Sequence, residues 1–462
     1  MSVYAGNRHM QAIPTLKISI SGVRGVVGES LTPALLARFA QAFGTYVGHG
    51  RVVVGRDTRT SGEMVRQAVV SGLLSTGCRI IDLGVCPTPT VQLTVRRLSA
   101  QVGIAITASH NPPEWNALKF IGPDGLFLDG GHARELLDIY HQGDYTKVPG
   151  SLMRPVELMP QAAEEHVRKI VQVLGPLRGD ARRRRVVIDA CNGAGSILTP
   201  RLLKELGTEV IGIHVTPDGR FPRPAEPLPE NIGALCQAVQ KHQADVGFAQ
   251  DMDADRLAVV SELGQPIGEE RTLVLAAQFV LGRTPGPVVA NLATTHALEA
   301  VAARFECKVY RTPVGEANVA KAMQRYKAVI GGEGNGGVIY PPINFARDSL
   351  AGIALILHLL AESGQSVSQL VQGLPPCCMV KQRLSFPSHR IGEVLARVKR
   401  EYAAYPTDVR DGIKVTLPEG WFIVRGSNTE PVIRVVAEAL SEEAATKIAA
   451  AIFERVQSWR KA

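Results

Sequence analysis

At residues 107–119 the chain has the sequence Thr-Ala-Ser-His-Asn-Pro-Pro-Glu-Trp-Asn-Ala-Leu-Lys, directly after an apolar run typical of a buried strand. Pro112 and Pro113 have no backbone N–H and fix their own φ, so we predict a rigid loop where the strand ends. A serine held in such a loop, Ser109 beside His110 and ahead of Lys119, is placed to carry a phosphoryl group or to attack an electrophile. The alternative interpretation is a surface turn with a polar tip.

A second polar segment, Asp251-Met-Asp-Ala-Asp-Arg256, follows another apolar run that is typical of a strand. Its three alternating aspartates converge if the loop curls. Carboxylates that are held so close together raise one another's pKa unless a cation binds between them. Ligands that are all carboxylates suit a hard ion such as Mg²⁺. The segment therefore predicts a metal site, and the alternative is a solvated acidic turn.

Two later segments carry groups that suit a sugar and a phosphate. The glycine-rich stretch at 332–337 predicts a hairpin that presents Glu333 and Asn335, whose side chains can bind vicinal hydroxyls. The segment Arg425-Gly-Ser-Asn-Thr-Glu-Pro431, with Arg434 beyond it, combines a guanidinium, hydroxyls and an amide, which is typical of a phosphate cradle.

Together with Ser21-Gly-Val-Arg-Gly25, these segments resemble, in the same order along nearly the whole chain, the loops of the α-D-phosphohexomutases. That family includes phosphoglucosamine mutases and phosphomannomutase/phosphoglucomutases, which move a phosphoryl group between O1 and O6 of a hexose. The resemblance implies three similar mixed α/β/α sandwich domains and a smaller C-terminal α+β domain around a central cleft. The boundaries that we predict are 1–154, 155–258, 259–372 and 373–462.

The resemblance also implies roles for individual residues. Ser109 would carry the phosphoryl group and share one Mg²⁺ with Asp251, Asp253 and Asp255, and a hexose bisphosphate would be intermediate and activator. His110 or Lys119 would act as acid or base, and Arg24, which we predict at the tip of a turn, would neutralise charge. The residues implied in substrate binding are Arg256, Glu333, Asn335, Arg425, Ser427, Asn428, Thr429 and Arg434.

The chain departs from the family pattern at four places. Met252 stands where the family usually has Gly, and Asn335 and Gly337 stand where Ser and His are common. Asn428 also replaces a frequent Gly, and the segment 316–318 lacks the basic residue that many members carry. The sugar preference of the family therefore does not transfer to this chain.

Composition narrows the classes of function. A length of 462 residues predicts three or four domains, at about 150 residues each. The formal net charge of +8 comes without the aromatic runs or zinc-finger spacing of nucleic-acid binders, and it suits an enzyme of anionic sugar phosphates. No signal-peptide core is present, and the longest apolar run is too short for a membrane span. We expect a cytoplasmic protein with reduced cysteines, a monomer or homodimer that binds neither nucleic acid nor membrane.

The favoured hypothesis is a phosphosugar mutase acting on glucosamine, glucose or mannose phosphate. A metal-dependent sugar-phosphate phosphatase would need the first two loops only, and a non-catalytic sugar-phosphate-binding protein would not need Ser109 beside a metal site. The segments 332–337 and 425–431 look most like those of archaeal phosphoglucosamine mutases.

Overall fold

The structure is a computed structural model, and it describes residues 15–19, 22–177, 183–427 and 432–461. Within these residues, four sheets follow one another along the chain. Three are mixed sheets between helices, and the fourth is antiparallel with helices on one face, so the predicted fold class is confirmed.

The first sheet has seven strands in the order β1-β2-β6-β5-β3-β4-β7. Its helices α1, α2 and α4 pack on one face and α3 on the other, so the sheet has an apolar cluster on each side. Thr32 is the N-cap of α1, as a threonine just ahead of an apolar run with Pro33 indicates, and its hydroxyl accepts a hydrogen bond from Leu35 N. The elements are β1 (Lys17–Ser19), β2 (Gly22–Val26), α1 (Pro33–Val47), β3 (Arg51–Arg56), α2 (Gly62–Ser75), β4 (Arg79–Val85), α3 (Thr88–Arg97), β5 (Val102–Ile106), β6 (Trp115–Ile121), α4 (Gly130–Gln142) and β7 (Glu157–Leu158).

The second and third sheets repeat one pattern of three parallel strands and an antiparallel edge strand, in the orders β11-β10-β8-β9 and β13-β12-β14-β15. The second comprises α5 (Ala162–Leu174), β8 (Arg185–Asp189), α6 (Gly195–Leu206), β9 (Glu209–Ile213), α7 (Gly233–His242), β10 (Val246–Gln250) and β11 (Leu257–Ser261). The third comprises α8 (Glu269–Arg283), β12 (Val288–Asn291), α9 (Ala297–Ala303), β13 (Val309–Thr312), α10 (Glu316–Tyr326), β14 (Ile330–Glu333), β15 (Gly337–Ile339), α11 (Ser349–Ser363) and α12 (Val367–Gln372).

One continuous apolar core joins the second and third sheets. Helix α11 lies inside it and is buried over most of its length, which explains its almost uniformly apolar sequence. Among the described residues, no helix has the length and apolar character that a membrane crossing requires.

The fourth sheet has the order β16-β20-β19-β18-β17, and all its neighbouring strands are antiparallel. Helices α13 and α14 cover one face with a separate apolar core. Its elements are β16 (Cys378–Ser385), α13 (Ile391–Glu401), β17 (Thr407–Asp408), β18 (Ile413–Leu417), β19 (Gly420–Gly426), β20 (Val432–Ala439) and α14 (Glu442–Lys461).

The domain boundaries after residues 154, 258 and 372 stay predictions. Strand β7 pairs with β4 and extends the first sheet to Leu158, and β11 extends the second sheet to Ser261.

The turn predicted around Arg24 is wrong, because Arg24 lies in strand β2 and pairs with Ala117 of β6. Gly22 has φ +116°, and a Cβ there would lie 1.9 Å from the carbonyl oxygen of Leu118. This glycine therefore permits close contact between two strands.

Candidate active site

The three loops singled out first occupy equivalent positions in the first three sheets. Each connects a parallel strand to the antiparallel strand beside it, namely β5 to β6, β10 to β11 and β14 to β15. These loops leave the carboxyl ends of parallel strands, where α/β sheets place their ligand sites. The repeated topology thus brings together residues 107–114, 251–256 and 334–336.

Ser109 and the aspartate loop meet directly. Ser109 Oγ donates a hydrogen bond to Asp251 Oδ2 at 2.7 Å, although the two residues are 142 positions apart. Ser109 is 3 % exposed and has φ +49°, and Ala254 in the aspartate loop has φ +55°. Left-handed backbone is costly for residues other than glycine and is concentrated at functional sites.

The three aspartates are buried and could hold a metal ion. Asp251, Asp253 and Asp255 each offer an oxygen within 4.8 Å of the others. Burial and the charges of the other two aspartates raise the pKa of Asp251 well above its usual value. Burial opposes ionisation of Asp253 too, but Lys119 and Thr88 outweigh it and lower that pKa. A bound cation would relieve this crowding of carboxylates.

Neighbouring residues hold at least one oxygen of each aspartate in place. Asp251 Oδ1 accepts hydrogen bonds from the backbone N–H groups of residues 255 and 256, at 3.1 and 3.2 Å. Asp253 Oδ2 accepts from Lys119 Nζ and Thr88 Oγ1, both at 2.7 Å. Among the described residues, Asp253 Oδ1 and Asp255 Oδ1 are buried and accept no hydrogen bond, so both are available to a cation.

The two candidate acid–base residues differ in their surroundings. Lys119 lies in strand β6, and its ammonium forms an ion pair with Asp253. His110 keeps Nδ1 without a hydrogen-bond partner among the described residues. Burial and the charges of Arg256, Arg24 and Lys119 lower the pKa of His110 well below its ordinary value. The imidazole of His110 is therefore neutral, whereas the ammonium of Lys119 is paired with Asp253.

Two arginines lie at the edge of this cluster. Arg24 donates from Nη1 to Asn111 Oδ1 in the serine loop, so strand β2 does bring it to the site. Arg256 donates from Nη1 to Glu226 Oε1 at 2.6 Å, and its Nε lies 3.8 Å from Asp255 Oδ1.

The predicted hairpin at 332–337 is present, and its two polar residues differ in accessibility. Glu333 is 2 % exposed, and its carboxylate accepts from Asn291 Nδ2, Gly315 N and Arg347 Nη1, each at 2.8 Å. Asn335 is partly exposed and accepts a hydrogen bond from Gly337 N. Asn335 is therefore the side chain of this hairpin that faces outward.

The fourth sheet contributes a row of arginines. Arg383, Arg434 and Arg425 are directly opposite one another on β16, β20 and β19, so they share one face of the sheet. Arg425 donates to Asp411, and Ser427 lies just beyond β19. Asn428 and Thr429 lie outside the described residues.

Comparison with known proteins gives the same result for all four units. The domain families named Phosphoglucomutase/phosphomannomutase, alpha/beta/alpha domains I, II and III match residues 16–147, 164–264 and 269–377, and the C-terminal domain of that family matches residues 380–455. A protein of Thermococcus kodakarensis named "Phosphoglucomutase/phosphomannomutase" is 39% identical over 92% of this chain and 94% of its own length.

The chain belongs to the phosphoglucomutase/phosphomannomutase family. A Methanopyrus kandleri protein named "Probable phosphoglucosamine mutase" is also 39% identical, over 93% of this chain and 95% of its own. A solved family member from Burkholderia thailandensis superposes with a TM-score of 0.84 at 28% identity, covering 96% of this chain and 97% of that one. This member of the family is a phosphohexomutase, an isomerase that transfers a phosphoryl group within a hexose.

Met252, a departure from the family pattern, fits the aspartate loop without a glycine. The left-handed residue of the loop is Ala254, and Met252 does not have positive φ. Its side chain is fully buried against Cys191 and Ala225. The conformational freedom of glycine is therefore not needed at position 252.

Arg59, which the sequence did not indicate as a site residue, fixes the serine loop of this phosphohexomutase. The buried Arg59 guanidinium donates to the carbonyl oxygens of Ser109, Asn111, Pro112 and Trp115, at 2.6 to 2.9 Å. Asp57 balances its charge at 3.1 Å. A signal was present, because the polar run 56–61 follows β3, the parallel neighbour of β5.

The sequence did not indicate Arg347 or Arg383 as site residues either. Asp348, the neighbour of Arg347, caps α11 by accepting from the N–H groups of residues 350 and 351. Arg347 turns instead toward the aspartates and the hairpin. The signal for Arg383 was the alternation of outward basic residues in β16.

Proposed function

We propose that this phosphohexomutase interconverts hexose 1-phosphates and 6-phosphates through a phosphorylated Ser109 and a hexose bisphosphate. The observation that carries the proposal is the 2.7 Å hydrogen bond from Ser109 Oγ to Asp251, at a strand end where two other buried carboxylates converge. A serine that served only a surface turn would have no reason to contact a buried acidic cluster.

In this proposal Asp251, Asp253 and Asp255 hold a divalent cation with Ser109. The two buried aspartate oxygens that accept no hydrogen bond among the described residues fit such an ion, and carboxylate donors suit Mg²⁺. When bound, Mg²⁺ neutralises charge on the phosphoryl oxygens. Arg256 and Arg24 add positive charge beside the same loops.

The transfer has two halves that mirror each other. In the first, the bond between phosphorus and Ser109 Oγ breaks as the free sugar hydroxyl forms a bond to the same phosphorus. The hydroxyl proton passes to Ser109 Oγ, and His110 Nδ1 is the group that we propose as its relay because it has no other described partner. In the second half the bisphosphate has turned end for end, and Ser109 takes the other phosphoryl group.

Substrate contacts come from the third and fourth units. The arginine row Arg383, Arg434 and Arg425, together with Ser427, is proposed to hold the phosphate that does not react. Asn428 and Thr429 remain part of this cradle as predictions. Asn335 is proposed to contact the sugar hydroxyls, and Glu333 supports the hairpin and offers a remaining lone pair.

Glucosamine phosphate is the substrate that we propose first. The two 39% identical relatives are named for glucosamine and for glucose and mannose phosphates, so all three sugars belong in the test. With Mg²⁺ and a bisphosphate activator, we expect the 1-phosphate to give the 6-phosphate, observed by ³¹P NMR.

Ser109→Ala tests the proposed nucleophile. Mutase activity should be lost while the melting temperature changes little, because the substitution removes one hydroxyl group. Undiminished turnover by this variant would contradict the proposal, and release of free phosphate by the unaltered chain would indicate a hydrolase.

A further inference from the structure

Arg347 lies at the centre of a buried cluster of three carboxylates from three different elements. Its Nη2 donates to Asp255 Oδ2 at 2.5 Å, its Nε to Glu316 Oε2 at 3.0 Å and its Nη1 to Glu333 Oε2 at 2.8 Å. The residue as a whole is 9 % exposed. These acceptors raise the pKa of Arg347 despite its burial, so the cation is permanent.

The contact between Arg347 and Asp255 determines which oxygen of the Asp255 carboxylate is free. Because Arg347 holds Oδ2, Asp255 Oδ1 is left without a hydrogen bond among the described residues, in the cluster shared with Asp251 and Asp253. The backbone N–H of Leu257 also donates to Gly336 O, so the aspartate loop and the hairpin are joined at a second point.

We propose that Arg347 is a positioning residue that orients Asp255 Oδ1 toward the metal ion and fixes the sugar-binding hairpin to the metal loop. The proposal rests on the proposed function for the identity of the site. Residues that orient a metal ligand typically contribute about 10- to 100-fold to metal affinity. A planar guanidinium can reach three carboxylates at once, whereas a lysine ammonium cannot reproduce that geometry.

The same arrangement explains the glycine at position 337. A Cβ at Gly337 would lie 2.3 Å from Arg347 Cδ and 3.0 Å from its Cγ. The side chain of Arg347 therefore occupies the space that a larger residue at 337 would need. This chain combines Glu316, Arg347 and Gly337 where the family pattern has a basic residue near 316 and a histidine at 337.

Mn²⁺ binding, measured by electron paramagnetic resonance without substrate, tests the proposal. We expect Arg347→Lys to bind Mn²⁺ about 10- to 100-fold more weakly than the unaltered chain. Arg311→Lys is the matched control, because Arg311 is also held by a carboxylate and several carbonyl groups in the third unit. In the mutase assay, a higher Mg²⁺ concentration should restore much of the rate of Arg347→Lys.

Gly337→Ala provides an independent variant if Arg347→Lys does not fold. Its methyl group should displace the Arg347 side chain and weaken Mn²⁺ binding, whereas Gly392→Ala adds a methyl group that meets no heavy atom within 4 Å. The proposal is overturned if a folded Arg347→Lys, or failing that a folded Gly337→Ala, binds Mn²⁺ as tightly as the unaltered chain. The measurement needs no turnover, so its outcome is separate from that of the mutase test.

Discussion

The backbone of Ser109, the proposed nucleophile, has a strained conformation. Its φ of +49° is a conformation that glycine adopts at little cost and that other residues adopt at a cost of about 1–2 kcal/mol. We therefore predict that Ser109→Gly melts at a higher temperature than Ser109→Ala, by the equivalent of about 1 kcal/mol. Both variants lack the hydroxyl and should be inactive. Equal melting temperatures would show that the loop relaxes and stores no strain.

Substitution of Arg59 tests how accurately the serine loop must be positioned for catalysis. Its guanidinium holds four loop carbonyl groups, and a lysine can satisfy only some of them. We predict that Arg59→Lys lowers kcat about 100-fold, since a shift of about 1 Å in a reacting group has an effect of that size. The measurement is steady-state mutase kinetics at saturating sugar phosphate.

Arg66→Lys is the control for Arg59→Lys. Arg66 pairs with Glu63 of its own helix α2 and with Asp82 of strand β4, away from the serine loop. Its kcat should match that of the unaltered chain. If both lysine variants lose activity equally, a general loss of stability and not the position of Ser109 is responsible.

At the scale of elements, the sequence predicts the helix caps and turns that neighbouring residues determine. The Thr32 cap and the hairpin at 332–337 follow from residues close together in the chain, and the structure contains both. The prediction of a turn at Arg24 was wrong because the positive φ of Gly22 allows close contact between β2 and β6. Strand β6 lies more than 90 residues further along the chain. Arg59 and Arg347 were missed for the same reason, since they hold Ser109 and Asp255, which lie 50 and 92 positions away in the chain.

The hairpin between β14 and β15 packs against β11, the strand that follows the aspartate loop. Gly336 has φ +83°, and a Cβ there would lie 2.2 Å from the carbonyl oxygen of Leu257. We predict that Gly336→Ala destabilises the protein by about 1–3 kcal/mol and raises the KM for the sugar phosphate, because the hairpin must shift. Thermal unfolding and steady-state kinetics measure the two effects.

Gly233→Ala is the matched control for that substitution. Gly233 begins helix α7, where an added Cβ meets no heavy atom within 4 Å. It should leave the KM unchanged. A Gly336→Ala variant with an unchanged KM would show that the hairpin does not contact the sugar.

At the scale of the whole molecule, the fourth unit has an apolar core of its own and only a small apolar contact with the third unit. The second and third sheets share one apolar core, whereas the fourth sheet has its own core. Its apolar contact with the third unit is a small cluster around Leu292 and Trp421. We infer that the small size of this apolar contact would let the fourth unit shift while the proposed bisphosphate turns end for end.

Lys381 on β16 links the fourth unit to the hairpin at 332–337. Its ammonium contacts Glu269 at 2.8 Å, Glu270 at 2.6 Å and the carbonyl oxygen of Gly334 at 3.0 Å. The side chain is 39% exposed, so the ion pairs contribute at most about 1 kcal/mol to holding the fourth unit against the third.

We predict that Lys381→Met raises the KM about two- to fivefold with kcat nearly unchanged, and that it releases more bisphosphate per turnover. Lys399→Met, at an exposed position on α13, should behave like the unaltered chain. Unchanged KM and bisphosphate release in Lys381→Met would show that this contact does not hold the fourth unit over the substrate.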